Sequence, residues 1–134
     1  MSNLPAARAT ERAKRILVVD DNIDAAIMLG LLLRQFGYIV VTTNSGPEAI
    51  GWGQSLLPDV VLLDLEMPGM DGFETCRTLR QHEWGAGTTV IAVTGLGERA
   101  DKERSRAAGF DLHLVKPVSP TLMQEALSAA PLLK

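Results

Sequence analysis

Val60-Val61-Leu62-Leu63 is an unbroken apolar run that ends on an acid, Asp64, and passes at once into Leu65-Glu66-Met67-Pro68-Gly69-Met70-Asp71-Gly72. Four consecutive apolar residues predict a strand covered on both faces, because a half-solvated strand would alternate. The Pro-Gly and Asp-Gly pairs predict that the chain turns directly afterwards. A carboxylate at the mouth of a buried strand is costly to place unless something uses it. Three other apolar runs close on polar residues in the same way. Ile16–Val19 ends on Asp20-Asp21, Val90–Val93 on Thr94, and Leu112–Val115, with His113 between its leucines, on Lys116.

Between these runs the pattern is helical. The first strand, about 15–20, is followed by a helix capped by Asn22 or Asp24 that reaches Phe36 and stops at Gly37. Tyr38–Thr43 alternates as an edge strand does. Asn44-Ser45-Gly46-Pro47 is a turn in which Ser45 can cap a helix and Pro47 suits the first helical position. That helix runs to about Leu56 despite Gly51 and Gly53, which weaken it, and Pro58 ends it. After the Asp64 loop a helix is predicted over about 72–81, then a loop over 82–87, a strand over 89–94, a Gly95-Leu96-Gly97 break and a charged helix over 98–108 stopped by Gly109. A strand over 111–115 and a last helix, capped by Ser119 or Thr121 and fading near Ala130, complete the order.

Five strands alternating with five helices imply a parallel sheet covered on both faces, an α/β doubly wound (βα)5 architecture. Ligands of such sheets bind beyond the carboxyl ends of the strands. All four polar stations lie at carboxyl ends. Residues 1–14 lack an apolar period and are expected to be a disordered or linker segment, 15–130 to form one domain, and 131–134 to be a tail.

Charge and cysteine usage exclude several roles. Arg8, Arg12, Lys14 and Arg15 against Glu11 give residues 1–15 a balance of +3. Of the 13 basic and 16 acidic residues, nine and fifteen remain for the body, which is left at −6. An acidic body argues against direct nucleic-acid binding, which calls for a basic patch. No apolar run approaches a membrane span and no signal sequence is evident. The single cysteine, Cys76, rules out an internal disulfide, fits a reducing cytoplasm and reads as a packing residue.

Asp20, Asp21 and Asp64 would gather three carboxylates in one crevice, and like charges that close are driven toward protonation unless a cation offsets them. Oxygen ligands on a loop rim suit Mg²⁺. A carboxylate beside Mg²⁺ can act as a phosphoryl-accepting nucleophile, with a lysine and a hydroxyl neutralising charge on the phosphoryl oxygens. Lys116 and Thr94 supply those two groups. Singly, each residue has a plainer explanation: a helix cap for Asp20-Asp21, a strand end for Thr94, a snorkelling surface lysine for Lys116, a packing role for His113. Their shared position at one edge of five strands is what a surface scatter would not give.

Asp20-Asp21-Asn22, Asp64 with Met67-Pro68-Gly69-Met70-Asp71-Gly72, Thr94-Gly95 and Lys116-Pro117 together resemble the signature of the receiver domain of two-component response regulators. The resemblance spans about Ile16 to Leu127. It implies a flavodoxin-like sheet of order 2-1-3-4-5 and a phosphoacceptor rather than an enzyme with turnover. By resemblance, Asp64 takes a phosphoryl group from a sensor histidine kinase or a histidine phosphotransfer domain and an effector downstream reads the result. Asp21, Asp64 and the backbone carbonyl of Glu66 would bind Mg²⁺ directly and Asp20 through water. Lys116 would pair with the phosphoryl group, and Thr94 would shift toward it. His113 departs from the pattern, since the family often places Tyr or Phe at this switch position. The resemblance also implies a cis bond at Lys116-Pro117, where the chain swings sharply toward its last helix. A stand-alone receiver and a piece of a hybrid sensor kinase both fit the sequence.

Two further readings follow. A Mg²⁺-dependent phosphohydrolase with Asp64 as nucleophile would use an acid two residues on, where Glu66 stands, but the sequence offers no cap domain to exclude water from a substrate. On the first helix, Leu29, Leu33 and Phe36 are predicted to face the sheet, which turns Ile27, Met28 and Leu31 to water. By resemblance, that apolar stripe is where the histidine-bearing helices of the donor would dock.

Overall fold

In the computed structural model, which describes residues 13–95 and 102–129, each apolar run forms a strand. The strands are β1 (Arg15–Val19), β2 (Ile39–Thr43), β3 (Val60–Asp64), β4 (Thr89–Thr94) and β5 (Leu112–Val115). The helices are α1 (Ile23–Gln35), α2 (Gly46–Leu56), α3 (Gly72–Arg80), α4 (Glu83–Ala86), α5 (Lys102–Ala108) and α6 (Pro120–Ala129). The expected 1–14 segment lies almost wholly outside the described residues, as do Leu96-Gly97, the start of the 98–108 helix and the 131–134 tail.

The strands pair in parallel in the order β2-β1-β3-β4-β5. The chain leaves β1 toward β2 on one side and returns to β3 on the other, which makes the carboxyl ends of β1 and β3 the switch point where a crevice opens. Both faces are covered. Ile16, Val18, Leu62, Ile91, Val93 and Leu114 pack against Ala26 and Leu33 of α1 and Met123, Ala126 and Leu127 of α6. Leu17, Val19, Val61, Leu63, Val90 and Ala92 face Ala49 and Leu56 of α2 and Phe73, Cys76 and Leu79 of α3. Every residue of β3 is buried, as its unbroken apolar run requires. Cys76 is fully buried and its thiol is pushed by burial up to about 11, so it serves as packing.

Local chemistry sets the boundaries. Asn22, not Asp24, caps α1 by accepting the Ala25 N–H, and Gly37 ends it at φ 97°. Ser45 caps α2 by accepting the Glu48 N–H, and the Glu48 carboxylate accepts from the Asn44 N–H. Because α2 begins at Gly46, Pro47 is its second residue rather than its first. Asp71 caps α3 through the Glu74 N–H, and Ser119, not Thr121, caps α6 through the Leu122 N–H.

The expected loop over 82–87 contains α4, a single turn begun at Glu83. It brings Trp84 into the space that a Cβ on Gly53 would need, which accounts for a glycine inside α2. No methyl group could occupy that position without displacing the indole.

Candidate functional site

Four strand ends meet at one rim. Asp20 follows β1, Asp64 is the last residue of β3, Thr94 the last of β4, and Lys116 follows β5. Asp20, Asp64 and Thr94 are buried, while Asp21 and Glu66 are exposed. Asp20, Asp21 and Asp64 each offer a carboxylate oxygen lying within 4.8 Å of the other two. The Lys116 ammonium stands 3.4 Å from Asp20 Oδ2 and 3.6 Å from Asp64 Oδ2.

The loops are held by short local hydrogen bonds. The Asn22 N–H donates to Asp20 Oδ1, and the Asn44 side-chain amide donates to the Asp20 carbonyl, which ties this loop to the end of β2. The Glu66 N–H donates to Asp64 Oδ1 at 3.1 Å. Gly72 is needed by close approach, because a Cβ there would strike the Asp64 carbonyl oxygen and Leu65 Cα. Lys116 and Pro117 are joined by the expected cis peptide, and the Lys116 N–H donates to the Thr94 carbonyl at 2.7 Å.

Burial pushes the Asp64 carboxyl up to about 6, and the neighbouring Asp20 adds to the rise, while the Glu66 N–H and the Lys116 ammonium act in the opposite direction. Burial alone would lower Lys116, but Asp64 and Asp20 outweigh it and hold its ammonium above the usual lysine range. One ammonium among three carboxylates leaves an uncompensated negative charge. That donor set, all oxygen and partly open to water at Asp21, fits a small divalent cation. Among the described residues it is the group of carboxylates close enough for such a role.

The remaining expected residues separate into two places. His113 lies half-buried on β5, with Nδ1 3.5 Å from Ser105 Oγ of α5. It pairs in register with Ala92, which puts it on the sheet face that Thr94 shares. Ile27, Met28 and Leu31 are exposed along α1, at 48%, 68% and 51%, and Ile23 at 58% extends the stripe toward the rim. Leu33 is fully buried, and Leu29 and Phe36 pack partly buried beside it.

Sequence reasoning missed a clamp on the opposite side of the sheet. Arg80, at the end of α3, donates to the carbonyls of Gly85 and Gly109 and forms a 2.9 Å ion pair with Asp111. Asp111 in turn accepts the Val90 N–H. A basic last turn on a helix was the available signal, and it does not reveal a partner 31 positions away.

The chain matches the family described as the response regulator receiver domain over residues 16–128. It is 36% identical over 107 residues to the DNA-binding response regulator MtrA of Mycobacterium tuberculosis, covering 80% of this chain and 46% of that protein. Its fold is similar to that of the Vibrio cholerae chemotaxis protein CheY4, with a TM-score of 0.84, 30% identity and coverage of 88% and 98%. It is also similar to the receiver domain of a sensor histidine kinase from Pseudomonas aeruginosa PAO1, solved with a magnesium ion in its active-site cleft. There the TM-score is 0.81, the identity 29% and the coverage 88% and 97%. The chain spans less than half the length of the curated relatives it matches. The expectation of no nucleic-acid contact therefore does not carry over to a longer protein, since the mycobacterial relative is a DNA-binding regulator.

Proposed function

Because this chain belongs to the response regulator receiver domain family, we propose that Asp64 is its phosphoacceptor and that the donor is a phosphohistidine on a sensor kinase or a histidine phosphotransfer domain. The observation that carries this reading is the buried Asp64 carboxylate beside the Lys116 ammonium, 3.6 Å away. An Asp64 oxygen attacks phosphorus, the P–N bond to the donor imidazole breaks, and the imidazole leaves with the proton it acquires. Lys116 binds a phosphoryl oxygen and offsets its charge, and the Thr94 hydroxyl donates to another. Asp21, Asp64 and the Glu66 carbonyl would hold Mg²⁺, with Asp20 one water removed. Bound there, the ion would supply positive charge to the phosphoryl oxygens. The Glu66 N–H keeps Asp64 Oδ1 oriented.

Thr94 and His113, on one face of adjacent strands, are the pair we assign to the switch that an effector reads. Ile27, Met28 and Leu31 form the donor's docking stripe, a contiguous apolar surface next to a charged rim. No helix among the described residues is long and apolar enough to cross a membrane, and a buried lone cysteine is at home in the cytoplasm, where we place the domain. In this reading the chain catalyses only its own phosphorylation and dephosphorylation. A phosphohydrolase would need an acid turned toward the reacting group, whereas Glu66 meets Asp64 through its backbone N–H and its side chain is exposed.

Incubation with a small phosphodonor and Mg²⁺ separates the two chemistries. An acceptor takes up one phosphoryl group per chain, after which release of inorganic phosphate is limited by the slow loss of that group. Sustained turnover of p-nitrophenyl phosphate would overturn the acceptor reading.

A further inference from the structure

Directly beneath the carboxylate rim, between the sheet and helices α1 and α6, lies a cavity of about 150 Å³ that phosphoryl transfer does not use. Its walls are aliphatic and include Leu29 and Leu32 of α1, Leu62 of β3, Val93 of β4 and Met123 of α6. Its mouth carries Asp20, Asp64 and Lys116. Away from that mouth the aliphatic walls offer water no hydrogen-bond partners, and they gain dispersion contacts when an apolar group fills the space. Its volume is that of an engineered apolar cavity known to take up a benzene ring.

The charge at the mouth selects the ligand. Lys116 is already shared between Asp20 and Asp64, and Asp21 contributes a third carboxylate oxygen within 4.8 Å of theirs. The rim therefore retains excess negative charge and repels an anionic head group, while it attracts an ammonium. We propose that this cavity binds small arylalkyl- or alkylammonium ions, with the apolar body between α1 and the sheet and the ammonium against Asp20 and Asp64. Such a ligand competes with the divalent cation for those carboxylates and so opposes phosphorylation. The competition rests on the metal-binding role proposed above, whereas occupancy of the cavity does not.

The test is a titration of the full chain with benzylammonium, followed through the methyl resonances of Leu29, Leu32 and Met123. Toluene and benzoate serve as the neutral and anionic comparisons. Saturable shifts at those methyls are expected for benzylammonium, weaker binding for toluene and none for benzoate. With Mg²⁺ at ten times its own dissociation constant, the apparent dissociation constant of benzylammonium should rise about tenfold. Ala25→Leu places new methyl groups in the cavity wall and should abolish the benzylammonium shifts while Mg²⁺ still perturbs the amides of residues 20, 21 and 64. Leu32→Phe fills the same space should the first variant not fold. Absence of saturable methyl shifts, benzoate binding as tightly as benzylammonium, or binding unchanged by cavity filling would each overturn the site. Benzylammonium binding that ignores Mg²⁺ would overturn the competition alone. Mg²⁺ that perturbs none of the three amides would overturn the metal reading and leave the cavity standing.

Discussion

Lys116 Nζ lies 3.4 Å from Asp20 Oδ2 and 3.6 Å from Asp64 Oδ2, so a single ammonium joins the carboxyl ends of β1 and β3 from a position after β5. To do so it reaches past β4, which lies between β3 and β5 in the sheet. The lysine is the internal counter-charge of the acidic cluster, and in the proposed transfer it would offset charge on the phosphoryl group.

Replacing Lys116 with Met removes that charge and keeps much of the side chain's bulk. Asp64 loses one of the two influences that hold its pKa down, so its carboxyl is expected to titrate higher still. Labelling by acetyl phosphate at pH 7 should slow by about a hundredfold or more, on the scale of losing one preorganised charge-stabilising group. Mg²⁺ affinity should rise, because the three carboxylates no longer share a resident cation. Parallel labelling rates and Mg²⁺ titrations check both signs, and undiminished labelling would remove Lys116 from the chemistry.

The raised pKa of Asp64 also sets a pH dependence of stability. The folded chain holds the proton to about pH 6, the unfolded chain only to about 4. Folding therefore favours the protonated form, and this contribution is complete below about pH 4 and lost as pH rises through about 6. Asp64→Asn should thus be more stable than the parent at pH 7.5 without Mg²⁺, by about 2 kcal/mol, with the difference vanishing near pH 4. Adding Mg²⁺ should stabilise the parent and not the variant. Urea unfolding at three pH values reads this directly, and an Asn variant less stable at pH 7.5 would contradict it.

Docking and chemistry can be separated on α1. Ile27→Lys combined with Leu31→Glu places charge on the exposed stripe without touching the buried Leu33. If the stripe docks the donor as proposed, transfer from the cognate phosphohistidine protein should slow by about tenfold or more, since two apolar contacts of that surface are lost. Labelling by acetyl phosphate should stay within a factor of about two, as small changes on an exposed helix face leave the fold intact. Equal transfer rates from the protein donor would mean that the stripe serves another contact.

Much of this was legible in the sequence because the signals were local. Buried parallel strands announce themselves as unbroken apolar runs, and β4 has the bounds its pattern predicts, Thr89–Thr94. The four polar stations were readable because topology alone sends every carboxyl end of a parallel sheet to one rim. Asn22, directly before Ile23, caps α1, while Asp24 two residues on lies in its first turn, a choice that spacing alone leaves open. What escaped was non-local. The α4 turn sets Trp84 against Gly53, and neither residue signals the other. The Arg80 clamp joins α3 to the entry of β5 through carbonyl oxygens, which no side-chain motif records. The apolar cavity beneath the rim is a property of packing between α1, α6 and the sheet, not of any one segment.

The identity of the acceptor is open to one direct measurement. The intact chain is incubated with phosphoramidate or acetyl phosphate and Mg²⁺, and its mass is compared with that of Asp64→Asn treated in parallel. The parent should gain the mass of one phosphoryl group, lose it on alkaline treatment as an acyl phosphate does, and fail to gain it when the metal is chelated beforehand. Asp64→Asn should gain nothing while its circular dichroism matches the parent's. Labelling that persists in Asp64→Asn would contradict the assignment of Asp64 as the phosphoacceptor.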